Sequence, residues 1–309
     1  MSELQKNDQV IFMSAKEDLA DQRYQQVLNK TEHLLNKYPD SIAVNDLHAV
    51  ALFYLKRYEE AKAIILAFQE SFFNQPDYLK DAFKIFLKSN SFMLAREAVT
   101  AAKTDLHDAW THEVEQAESA YRTDNSAKLQ QASRHFAHIG ALSVAEQVQA
   151  VQSSVTLPLK EYVRAARAIM SDPFVWQVVK TQVLLQLVRI DLKYRFDMVW
   201  LDGKTYTIRT GELKPLDQYE SFVGVLQAIE KQFATDDPIK LELLEKELFT
   251  QGNYIYPFFD KVITDSQFWA KAIIARSFGD MIKPDNDQEQ LMLSWITKIY
   301  DEEIKIDLI

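Results

Sequence analysis

His135 and His138 stand three residues apart, a spacing that sets two imidazoles on one face of a helix, as a metal ion requires. No third ligand at matching spacing accompanies them. His107 and His112 are five apart, which splays them around a helix, and "THEVEQ" (111–116) lacks the second histidine of HExxH. Surface or seam histidines, with no metal, are expected. The carboxylate pairs Glu113/Glu115 and Asp236/Asp237 are common in an acidic helical chain, and no serine sits in a GxSxG elbow. Cysteine is absent, which removes disulfides, thiolate ligands and thiol nucleophiles together. All six glycines lie after residue 139 and none cluster, so no phosphate-cradling loop exists. Tyr254, Tyr256, Phe258 and Phe259 can line a ligand pocket, but such a stretch more often plugs a core between helices. The residues therefore name no catalytic group and no cofactor, and a non-enzyme is expected.

The elements that position these residues are helices with a long-range period. Tyr24, Tyr58 and Phe92 are spaced by 34 residues, as are Val27, Ala61 and Ala95. Thr31, Ile65 and Val99 keep the same register, as do Leu34, Phe68 and Ala102, and upstream Ala15, Ala49 and Phe83. Each position has a physical reason: small residues let paired helices approach, and the aromatic fills the seam between hairpins. Pro39, in "NKYPDS", closes the first unit because proline cannot continue a helix.

A 34-residue helix–turn–helix period with these residues resembles the tetratricopeptide repeat family. Ala15 and Ala49 match the small residue of helix A; Tyr24, Tyr58 and Phe92 match the aromatic opening helix B; Val27, Ala61 and Ala95 match the small residue of the helix contact. Departures are Phe83, large where a small residue is usual, and Phe73 and His107, which replace the closing prolines. The whole chain resembles tetratricopeptide-containing cytosolic proteins of Gram-positive bacteria. That resemblance implies a helical array and a cytoplasmic setting, and it supplies no active site.

Longer helical hairpins are expected through 106–154, where Leu142 and Ala145 echo Tyr58 and Ala61. "SVTLP" (154–158) marks the domain boundary. Beyond it, 160–170 reads as a helix, and 172–192 as another, with Asp172 as N-cap and Pro173 at the first helical position. Residues 195–210 alternate around Asp202-Gly203 and read as a β-hairpin with a two-residue turn. Helices follow at about 217–233, 238–250, 265–278 and 286–304. The expected fold is all-α: a tetratricopeptide-like array (5–154), then a helical domain (155–309) carrying one small hairpin.

Helices followed by a hairpin also resemble a winged-helix arrangement. Residues 160–209 hold nine basic residues against five acidic ones, and Lys160, Arg164, Arg167, Lys204 and Arg209 form a candidate nucleic-acid face. Against this, the net charge of −10 falls mainly on 212–309, which holds 10 basic and 19 acidic residues. An acidic domain is a poor partner for nucleic acid or anionic lipid. The polar first ten residues and the shortness of the apolar runs point to a cytoplasmic protein without a membrane span.

A repeat array carries a ready-made binding surface on its A helices. Chaperone-binding arrays clamp a terminal carboxylate there with basic residues; the corresponding positions here are Phe12, Lys16, Leu47, Asp77 and Asp81. Two acids stand where bases are needed, so an internal segment of a partner protein is expected instead. Phe12, Lys16, Leu47, Val50 and Lys84 are the candidate groove residues, and Lys16, Val50 and Lys84 share one repeat position. Lysines flanking a valine favour a segment with an acidic and an apolar residue.

Overall fold

The computed structural model describes residues 4–234 and 237–307. Among them lie seventeen α-helices and one two-stranded antiparallel sheet, so the fold is all-α with a small β-hairpin. No helix among the described residues is long and apolar enough to cross a membrane. The chain divides into two compact units, Met1–Ala132 with Val155–Glu161, and Ser133–Ser154 with Tyr162–Ile309. The chain passes from the first unit to the second after Ala132, returns to the first at 154/155, and passes to the second again after Glu161.

The first unit begins with three helical hairpins: α1 (Lys6–Ala20) with α2 (Tyr24–Leu35), α3 (Ile42–Tyr54) with α4 (Tyr58–Ala67), and α6 (Pro76–Lys88) with α7 (Phe92–Ala101). The short α5 (Gln69–Phe73) is inserted before α6. The register holds at the hairpin openings and at the close helix contacts. Tyr24, Tyr58 and Phe92 each open the second helix of a hairpin, and Ala15, Ala49, Val27, Ala61 and Ala95 have no exposed surface. Each first helix also stops in the same way, with Gln22, Lys56 and Asn90 at positive φ. The following amide donates five residues back each time: Arg23 to Asp18, Arg57 to Leu52 and Ser91 to Phe86. This is the left-handed C-terminal cap that glycine usually supplies, made three times without glycine.

Two departures have physical reasons. Phe83 keeps its size because its ring stacks on Trp110 of α8 (Thr104–Asp124), centroids 4.2 Å apart. Phe73 replaces a proline because the chain makes the extra turn of α5 there, with Phe72 fully buried.

The second unit has no such register. It contains the end of α9 (Ser126–Ala137), α10 (Val144–Ser154), most of α11 (Leu159–Ser171), α12 (Gln177–Arg189), the hairpin, and α13 (Glu220–Phe233) to α17 (Asp287–Asp307). Between them lie α14 (Pro238–Ile255), α15 (Phe259–Val262) and α16 (Ser266–Ser277), with α13, α14 and α16 packed on one another. Ser143 and Glu146 exchange hydrogen bonds at the start of α10, a capping box. Ala145 is exposed and does not play the part of Ala61; Gln147 and Ala150 face inward instead. Asp237 and Asp265 cap α14 and α16 through their carboxylates. Asp236 lies outside the described residues.

The expected helix over 172–192 starts five residues late, at Gln177. Asp172 accepts the amide of Phe174 at 2.9 Å in a turn of its own and caps no helix. The hairpin forms as expected, β1 (Arg195–Val199) pairing β2 (Thr205–Arg209) with Phe196 opposite Ile208. Its turn is longer than two residues. Trp200 N donates to Lys204 O at 2.9 Å, and Gly203 adopts φ +78° within a three-residue loop.

Candidate functional site

The A-helix face of the first unit is organised around a residue that sequence spacing did not single out. Asp46 of α3 lies 34 residues after Phe12 of α1 and 34 before Lys80 of α6, one turn from the Lys16/Val50/Lys84 register. It is half-buried, and its Oδ1 is shielded from solvent without a hydrogen-bond partner. Burial first, then the nearby Asp81 and Asp77, push its carboxyl up to about 7, with Lys16 and Lys84 acting against them. Charged side chains of α1 and α6 therefore act through space on Asp46 of α3.

Around it, Lys84 is paired with Asp81 at 3.0 Å and Lys80 with Asp77 at 3.4 Å. The Lys16 ammonium lies 4.8 Å from the centre of the Phe12 ring. Burial, with Asp46 and Asp77 adding to it, raises the Tyr78 hydroxyl.

Two of the expected groove residues are corrected. Leu47 is 5% exposed and Val50 is 9% exposed, so neither offers a side chain to a partner. The reason is the position of α3, which packs against α1, α2, α4 and α6 and so has little free circumference. Phe12 is partly buried against the core, while Lys16 and Lys84 are exposed as expected.

Three other buried acids in this unit are answered by cations. Asp8 takes Lys37 and Tyr38, and Asp18 takes Arg23 and Lys30. Glu118 takes Arg96, Arg122 and the amide of Leu159. Such pairs position structure and leave no charge to spare.

In the second unit, a pocket of about 360 Å³ opens between α10, the 173–176 turn, α12, the hairpin loop and Glu302 of α17. Its walls include Val144, Phe174, Trp176 and Trp200. Lys180 lines it and is 2% exposed. The ammonium donates to Val199 O at 2.7 Å. Burial pulls its pKa down to about 8, and Asp172 partly offsets this. The sequence signal was faint: Lys180 is the one charged residue in "QVVKTQVLLQLV" (177–188).

The candidate nucleic-acid residues are exposed but partly engaged. Arg209 pairs with Glu212 at 3.2 Å and faces Arg195 across the strands. Arg167 bonds the Tyr194 hydroxyl and lies over that ring. Lys160 and Arg164 are exposed on α11, and Lys204 sits in the hairpin loop, its amide held by Asp202. The hairpin itself is fastened down: Phe196, Met198, Trp200 and Ile208 are buried. Lys261 bonds Asp202 at 3.2 Å and lies over the Trp200 and Tyr206 rings.

His107, His112, His135 and His138 are not buried, and no group of three or more ligating side chains suited to a metal occurs among the described residues. In the aromatic stretch, Tyr254, Tyr256 and Phe259 are core residues. No family model matches the chain, and neither does any curated protein or solved structure.

Proposed function

We propose that this chain is a non-catalytic adaptor of the tetratricopeptide type, working in the cytoplasm, which holds a segment of another protein against α1, α3 and α6. The observation that supports this reading is that Lys16 of α1 and Asp77, Asp81 and Lys84 of α6 all act electrostatically on Asp46 of α3. Three successive A helices thereby contribute to one surface, as a repeat array does when it grips a peptide. The contact residues are Phe12, Lys16, Asp46 and Lys84, with Leu47 and Val50 behind them as core. Because Lys84 already has Asp81 while Asp46 lacks a hydrogen-bonding partner at Oδ1, the segment that fits carries a lysine or arginine beside an apolar residue. This reverses the charge expected from the two lysines alone.

The test is capture from an extract of the source cell by the wild-type chain and by Asp46→Lys, with folding checked by circular dichroism. Proteins held by the wild type should be lost from the variant. An unchanged set of captured proteins on a folded Asp46→Lys chain overturns the reading. The alternative, nucleic-acid binding through Lys160, Arg164, Arg167, Lys204 and Arg209, is weakened by the pairing of Arg209 and the engagement of Arg167.

A further inference from the structure

Lys180 is an expensive residue for its position. An ammonium buried among Val144, Trp176, Val199 and Trp200 loses its hydration, and the single carbonyl of Val199 replaces only one of three donor contacts. No carboxylate forms an ion pair with it among the described residues: Asp172 acts on it through space, and Glu302 lines the same pocket. If Lys180 served only to hold the end of β1, a neutral amide donor would do so without the desolvation cost.

We propose that this pocket is a binding site for a small organic monocarboxylate whose apolar or aromatic body lies against Trp176, Trp200 and Val144, and whose carboxylate meets the Lys180 ammonium. The charge follows from the lining. Lys180 is the only basic residue among those lining the pocket, so one negative charge is matched and a second is left uncompensated beside Glu302. The size follows from the volume: about 360 Å³ lies at the small end of ligand pockets and suits a single ring with a short chain. The aromatic walls favour a flat or branched hydrocarbon body over a sugar. This site is separate from the adaptor surface and does not depend on it.

The experiment is calorimetric titration of the full chain with 3-phenylpropionate, and with 3-phenylpropionamide as the neutral match. The carboxylate should bind at least about tenfold more tightly than the amide, because only it pairs with the ammonium. Affinity for the carboxylate should fall as pH rises past 8, where Lys180 loses its proton. Lys180→Met should abolish the difference between the two probes. Val144→Trp, which fills the pocket while keeping the lysine, should abolish binding of both and leave the melting temperature in place. Equal affinity for acid and amide overturns the proposal, as does carboxylate binding that survives Val144→Trp. No heat with either probe, together with a large loss of stability in Lys180→Met, would make Lys180 a structural anchor of β1 and also overturn it.

Discussion

Among the described residues, each unit holds a charge in conflict with its surroundings, and the two are of opposite sign. In the first, Asp46 is raised to about 7 by burial and by neighbouring acids. In the second, Lys180 is lowered to about 8 by burial alone, with Asp172 opposing. The rest of the first unit shows what a structural charge looks like: Asp8, Asp18 and Glu118 are each answered by a cation. A buried charge with its partners in place reports architecture. One held without them reports a cost that the fold carries for another purpose, which makes both residues site candidates. The units differ in how that residue is placed. A repeated register places Asp46 on α3, which packs against both α1 and α6, whereas Lys180 is placed by a turn, a helix and a hairpin that each occur once.

The largest effect that tests this contrast concerns how strict the repeat is. If the 34-residue register alone governed packing, Phe83→Ala would restore the small residue of the earlier hairpins and cost little. The structure says otherwise, because Phe83 is buried against Trp110 of α8. Removing the ring should cost about 3–5 kcal/mol through lost burial and the cavity left behind. A denaturant melt measures it. A cost below about 1 kcal/mol would show that α8 relaxes onto α6 as a further regular repeat does.

Next in size are the two uncompensated charges, which must act in different pH windows. The folded pKa of Asp46 stands above its ordinary 3.8, so the folded state holds a proton that the unfolded chain has released. Stability from this group is therefore lost as pH rises from about 4 to about 7 and is constant beyond. Asp46→Asn should be neutral near pH 4 and stabilising by on the order of a few kcal/mol at pH 8. Lys180 is the mirror case. Its folded pKa lies below the ordinary 10.5, so its cost is present at pH 7 and fades between 8 and 10.5. Urea melts of wild type and Asp46→Asn at three pH values decide the first half. A difference that does not grow between pH 4 and pH 8 removes Asp46 as a conflicted charge.

What the sequence made legible follows the same division. The hairpins of the first unit could be read because one geometric problem, two helices meeting closely, is solved three times at fixed spacing. Ala61 and Ala95 announce each other. The stretch from Asp172 to Trp176 could not be read this way: Asp-Pro is a sound helix start, and only the Asp172–Phe174 bond shows that it closes a turn instead. Val50 was misplaced because periodicity gives a helix face but not the number of neighbours around the helix, and α3 has four. Asp46 and Lys180 went unseen for a related reason. A charge becomes conspicuous through what fails to surround it, and that is settled by packing between distant segments.

The smallest effect sharpens the comparison at the helix stops. Four non-glycine residues close helices in the left-handed region: Gln22, Lys56 and Asn90 at 34-residue spacing in the first unit, and Asp191 after α12 in the second. Asparagine and aspartate tolerate this conformation because their short side chains bond locally, whereas lysine and glutamine bear the full steric cost of Cβ against the carbonyl. The hydrogen bonds are the same in each case, with Lys56 N donating to Phe53 O at 2.9 Å and Asp191 N to Val188 O at 2.9 Å. Substitution by glycine therefore isolates the Cβ strain, less the extra freedom glycine gives the unfolded chain. Lys56→Gly should stabilise the protein by about 0.5–1 kcal/mol, and Asp191→Gly should change it by no more than about 0.3 kcal/mol. Differential melting of the two variants measures the gap. Equal effects at both sites would mean that residue type does not matter at these stops, and the first unit would then carry no more strain than the second.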